Sequence, residues 1–164
     1  MNYNDEIRSL REEFDLKDTV NLPVIKLANE LGLKVRALDL NALRKGLSGV
    51  LRKNSEGQGE IIIDINHHPN RQRFTIAHEI AHFILHNNRK VDENMFETRI
   101  NFTDKAENEK EKEANRFAAE LLVPGDLLTR EWDSLLIKET RLLALKFNVS
   151  ESVLRRRVGE LGLE

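Results

Sequence analysis

Residues 71–86 constrain this chain more than any other stretch: Arg71-Gln72-Arg73-Phe74-Thr75-Ile76-Ala77-His78-Glu79-Ile80-Ala81-His82-Phe83-Ile84-Leu85-His86. Wound as a helix, the run is apolar almost all round. Phe74, Ala77, Ala81, Ile84 and Leu85 form one face, and Ile76, Ile80 and Phe83 cover much of the other. A helix that apolar is buried. Inside it sits a His-Glu-x-x-His pattern. Side chains four apart lie about 40° apart around a helix and about 6 Å apart along it. His78 and His82 therefore point the same way and can share one metal ion, while Glu79 stands one step round, within reach of a water on that ion. Two imidazoles and a neighbouring base are the core of a zinc hydrolase site. A surface helix with two satisfied histidines is the plainer alternative, but buried imidazoles and a buried carboxylate need partners, and a metal supplies them.

Composition bounds the rest. The chain has 164 residues, 40% of them hydrophobic and 33% charged, which fits one domain with a sizeable core. A formal net charge of −2 gives no global electrostatic case for nucleic acid. No apolar run approaches the roughly 18 residues of a membrane span. The polar, acidic start from Met1 to Glu6 is unlike a signal peptide, so a cytoplasmic protein is expected. Cysteine is absent, which excludes disulfides and thiolate zinc sites. Any metal must be held by His, Asp or Glu.

Residues 4–17 read as a polar first helix with Ile7, Leu10, Phe14 and Leu16 on a thin apolar stripe. A second helix starts near Leu22-Pro23 and stops at Gly32. The period then changes to alternation at 33–38 and 50–53, and Ile61-Ile62-Ile63-Asp64-Ile65 is the clearest strand. Asn54 to Gly59 form a turn cluster between the last two. A small, mostly antiparallel sheet of about three strands is expected, leading through His67-His68-Pro69 to the central helix with Asn70 as its cap. Loop histidines beside a proline are usually solvated, so His67 and His68 are weak ligand candidates. His86 lies two turns, about 12 Å, from His78, too far to share its ion, and reads as a packing or supporting residue. The polar stretch 87–105, with Met95, Phe96, Ile100 and Phe102, is either a loop over the site or an ordinary connection.

A catalytic zinc of this kind takes three protein ligands and keeps a position open. The extended pattern with Gly and His further along would need them at 85 and 88, where Leu85 and Asn88 stand. The alternative is an acid from a later helix at about 106–122, ended by Pro124-Gly125. Ala114, Phe117, Ala118, Leu121 and Leu122 define its inward face. Glu111 lies roughly 50° from the centre of that face and Glu113 about 110° away. Glu111 is the better ligand, with Asn115 one turn on, placed to hydrogen-bond a ligating histidine. Glu113 stays open as the other choice.

Arg-Phe-Thr-Ile-Ala-His-Glu-Ile-Ala-His at 73–82, followed by Glu-x-x-Ala-Asn-x-Phe-Ala-Ala-Glu-Leu-Leu-Val-Pro at 111–124, resembles the ImmA/IrrE family of metallo-endopeptidases. The likeness runs from about Leu22 to the end. It implies a compact zincin-like α+β domain, with 1–21 as a helical extension, 22–124 as the catalytic core and 125–164 as a C-terminal helical subdomain. It implies a cytoplasmic zinc endopeptidase that cleaves a DNA-binding repressor of the Xre type. On the matching positions it assigns His78, His82 and Glu111 to Zn²⁺ and Glu79 to catalysis. Val123 stands where the family more often has Met. Many relatives begin with a helix-turn-helix, and some twenty extra residues here are too few for one, so the expected partner is a separately encoded repressor. No candidate stands out for stabilising the oxyanion among His67, His68, Tyr3 and Arg73.

Trp132 to Leu145 reads as one helix, followed by a Ser-capped second helix carrying Arg155, Arg156 and Arg157. This mimics a helix-turn-helix and supports a rival reading: a DNA- or repressor-binding regulatory module that does not cut. The acidic net charge and the lack of Asn, Gln and Lys on the second helix argue against base readout.

Overall fold

A computed structural model of the chain describes residues 3–42, 46–91 and 105–163, with the backbone alone for 105–108. Of the stretch 87–105, read as a loop over the site or an ordinary connection, residues 92–104, with Met95, Phe96, Ile100 and Phe102, lie outside that set. The chain groups into two compact units, 23–118 and the paired ends 1–22 with 119–164. Helices and one small sheet make it an α+β protein, as expected.

After a first helix, α1 (Asn4–Glu13), in the other unit, the unit 23–118 opens with α2 (Val24–Glu30), which follows Pro23 and stops just before Gly32, whose φ of +80° suits a residue without a Cβ. Three strands follow, β1 (Leu33–Leu38), β2 (Gly49–Lys53) and β3 (Gly59–Asp64), in the order β1-β3-β2. The β2–β3 hairpin closes on Asn54, whose Oδ1 accepts from the backbone N–H of Glu56 and of Gln58, both at 2.9 Å. β3 is the centre of the sheet, and Glu60 to Asp64 are all buried. A strand covered on both faces reads as an apolar run, not an alternation, which accounts for Ile61-Ile62-Ile63.

The sheet is mixed, where a mostly antiparallel one was expected. β2 pairs with β3 antiparallel, but β1 pairs with β3 parallel, from Leu33 opposite Gly59 to Leu38 opposite Asp64. A parallel neighbour needs a crossover, and alternation within β1 carries no information about it. The buried Glu60 is held between the two flanking strands, by Arg36 at 3.3 Å and Arg52 at 3.0 Å.

Helix α3 (Pro69–Leu85) packs on this sheet and buries residues right round its circumference, from Thr75 to Ile84. Its cap is His68, not Asn70: His68 Nδ1 accepts from Asn70 N–H at 3.1 Å, and Pro69 takes the first helical position, where no N–H is needed. Gln72 Nε2 donates to the carbonyls of Asp64 and Ile65, at 3.0 and 3.2 Å, pinning the helix start to the end of β3. Helix α4 (Lys105–Leu122) brings its residues up to Ala118 into the same unit.

The second unit holds α1 (Asn4–Glu13), the end of α4, and α5 (Gly125–Ser134), α6 (Thr140–Phe147) and α7 (Glu151–Leu161). α1 stops earlier than its apolar stripe suggested, because Asp15 turns left-handed at φ 55° and Leu16 N–H closes on Arg11 O at 2.7 Å. The helix expected over 132–145 is broken. Ser134 Oγ donates to Glu131 O at 2.7 Å, Lys138 Nζ donates to Trp132 O, and Leu135 becomes extended. The leucines across the break are not one face: Leu136 and Ile137 are exposed. Beyond it, Asn148 turns left-handed and Ser150 Oγ caps α7 by accepting from Val153 N–H.

Candidate metal centre

α3 and α4 bring together the three side chains that sequence spacing singled out. His78 Nε2 lies 3.0 Å from His82 Nε2. Glu111 bridges both, with Oε2 3.1 Å from His78 Nε2 and Oε1 3.0 Å from His82 Nε2. Among the described residues these form the one group of three with metal-ligand character, one ligand atom from each lying within 4.8 Å of the others. Zinc bonds of about 2.0–2.1 Å in tetrahedral geometry set ligand atoms about 3.3 Å apart. The two imidazole nitrogens stand 3.0 Å apart and each has a Glu111 oxygen within 3.1 Å, near that spacing, and two imidazole nitrogens with a carboxylate are a donor set zinc accepts. The residues fit the ion.

Each histidine is also held from behind. His78 Nδ1 meets Asn115 Oδ1 at 3.0 Å, the contact expected from the one-turn spacing of Asn115 and Glu111. His82 Nδ1 meets His86 Nδ1 at 2.9 Å, and His86 Nε2 meets Glu113 Oε2 at 3.1 Å. The rings of His78 and His82 are edge-on, with centroids 4.6 Å apart. The sequence marks His86 as a packing or supporting residue, which its contact with His82 fits, but it leaves His86 and Glu113 unconnected.

Burial disfavours a charged Glu111, but hydrogen bonds to His78 and His82, reinforced by their charge, outweigh it and hold the carboxyl well below the usual range. It is thus an anion, ready to ligate. Glu79 is 2% exposed. It lies where α3 meets the start of β2: a Cβ built on Gly49 would come within 3.6 Å of Glu79 Oε1.

The other candidates fall elsewhere. His68 is the α3 cap. His67 Nε2 is 3.9 Å from Asp64 Oδ2, beyond hydrogen-bond range. Arg73 is half-buried, which lowers its pKa. Tyr3 is buried in the other unit. The three arginines of α7 differ: Arg155 and Arg156 are exposed and paired with Glu151 and Glu160 at 2.7 and 2.8 Å, whereas Arg157 is 5% exposed and donates inward to Val123 O. No helix among the described residues is long and apolar enough to cross a membrane.

Residues 28–158 match the Peptidase_M78 family, described as the IrrE N-terminal-like domain. No curated protein matches the chain. Among solved structures, a Mycobacterium tuberculosis transcriptional regulator has a similar fold, with a TM-score of 0.65 at 16% identity. The match covers 94% of this chain and 45% of that one, so the chain spans less than half of that regulator's length.

Proposed function

Because the chain belongs to the Peptidase_M78 family, the IrrE N-terminal-like domains, we propose that it is a zinc-dependent endopeptidase of the cytoplasm that cleaves a separately encoded DNA-binding repressor. The observation that carries this reading is the meeting of His78, His82 and Glu111 from two helices, with Glu79 next in sequence to the first of them. The regulator of similar fold supports a link to transcription.

His78 Nε2, His82 Nε2 and a Glu111 oxygen would hold the ion. Bound there, zinc makes water acidic near neutral pH and polarises a carbonyl oxygen. Glu79 is the general base: its carboxylate takes the proton of the attacking water and returns it to the leaving amine. Burial shields that carboxylate from bulk solvent, which strengthens its interaction with the water it orients. β2 is an edge strand whose far side pairs with no other described strand. An extended peptide laid along it would pair by strand addition, and Gly49 would bring the start of that strand beside Glu79.

Co-expression with a repressor encoded nearby tests the reading. The wild-type chain should release a repressor fragment and carry about one zinc per chain. Glu79→Gln should keep the zinc and slow cleavage by about 10²–10⁴-fold. If Glu79→Gln cuts at the wild-type rate, the catalytic assignment is wrong. A non-cutting DNA-binding module would instead give a mobility shift indifferent to chelator and lost on changing Arg155 and Arg156.

A further inference from the structure

We propose that Glu113 and His86 are positioning residues for His82, a relay that fixes which of its ring nitrogens carries the proton and so which one is free to ligate. The inference rests on the reading of His82 as a zinc ligand.

The hydrogen-bond pattern runs in one direction. His82 Nε2 faces His78 and Glu111, so ligation there needs a lone pair on Nε2 and the proton on Nδ1. That Nδ1–H then donates to His86 Nδ1, 2.9 Å away. His86 must accept on Nδ1 and so carries its own proton on Nε2, which donates to Glu113 Oε2 at 3.1 Å. The chain ends on a carboxylate, which only accepts. No other tautomer pair keeps both contacts as hydrogen bonds while leaving His82 Nε2 bare.

The two ligating histidines are therefore supported unequally. His78 donates to the neutral amide oxygen of Asn115. His82 is backed by a second imidazole and, through it, an anion, which makes it the more electron-rich ligand. Glu113 thus has a task although it is not the third ligand: its oxygens reach His86, while those of Glu111 reach His78 and His82. The side chains also suit a relay sterically. His86 is mostly buried, which holds its ring, and Glu113 is 42% exposed at its side chain, so it can be changed without opening the core.

The experiment pairs zinc affinity, by competition with a chromophoric chelator, with ¹⁵N spectra of the histidine rings. In the wild-type protein, His82 should be protonated on Nδ1 and His86 on Nε2. Glu113→Ala should weaken zinc binding about 10–100-fold and mix the His86 tautomers. Glu113→Gln, whose amide oxygen still accepts, should recover most of the loss. His86→Ala should match Glu113→Ala, and combining the two should add little. Wild-type affinity in Glu113→Ala, or a wild-type His86 protonated on Nδ1, overturns the relay and leaves the zinc site standing. A wild-type protein that takes up no zinc overturns the metal reading and the relay with it.

Discussion

Gly49 lies so close to Thr75 that a Cβ on the glycine would stand 2.2 Å from Thr75 Cγ2. The same Cβ would come within 3.2 Å of Ile62 O, so β2 cannot retreat toward β3 to make room. The approach of the edge strand to α3, one turn before Glu79, depends on that missing methyl. Gly49→Ala should therefore push α3 and β2 apart and cost about 1–3 kcal/mol, read from the urea midpoint. Thr75→Ser removes the clashing Cγ2, so adding it to Gly49→Ala should restore much of the loss. A single Gly49→Ala variant as stable as wild type would show that the two elements slide freely.

Metal binding should show as stability. An ion that binds only the folded chain contributes about 2.7 kcal/mol at a free concentration a hundredfold above its Kd. Zinc should raise the thermal midpoint and a chelator should reverse it. His82→Ala and Glu111→Ala should each erase the difference between the two conditions. A zinc-dependent rise that survives in both variants would place the ion elsewhere.

In metal-free protein, Glu111 makes stability depend on acid in a defined direction. Burial opposes its charge, yet the contacts with His78 and His82 prevail and its folded pKa lies below its unfolded one. Such a group contributes fully above the ordinary carboxylate range and loses that contribution as pH falls through and below it. Urea unfolding in chelator should thus find wild type more stable than Glu111→Gln near about pH 7, with the gap closing toward about pH 3. A gap that widens with acid would contradict the sign.

Arg157 and its neighbours on α7 should behave unlike one another. Arg157 Nε donates to Val123 O at 3.1 Å, and its Nη1 to Glu160 at 2.7 Å. It also lies 3.7 Å from Glu120. Removing one partner of such a buried cluster costs about 3–5 kcal/mol, so Arg157→Met should unfold at much lower denaturant. Arg155→Ala and Arg156→Ala, on exposed arms, should scarcely move the midpoint. Equal effects at all three positions would mean that Arg157 is not a structural residue.

The parts of the fold written in local periodicity were legible in the sequence. α3 is recognisable because it is apolar on every side, and Glu111 was separable from Glu113 because ten degrees of error per residue do not exchange two sides of a helix. Asn115 followed from the same geometry. What went unread depends on partners distant in the chain. The parallel pairing of β1 is a relation between strands, absent from either one. The break after Ser134 is made by Lys138 and Ser134 taking backbone carbonyls, against a leucine-rich run that invited continuation. His68 took the cap from Asn70 because Pro69 fixed the helix start one residue earlier. The His86–Glu113 contact joins a histidine read as a packing or supporting residue to an acid weighed only as the rival ligand, and nothing local to either one points to the other.

His78, His82 and His86 stand in a file along the same helix that buries Ile76, Ile80 and Ile84 in the interior. Turning that helix by one residue to suit a mutated interior would swing His78 and His82 away from Glu111, and His86 away from Glu113, at once. Loading with the ion should for that reason act as a gauge of interior repair: a variant weakened at Ile80 would regain its shape in zinc-rich medium and lose it under starvation for the metal.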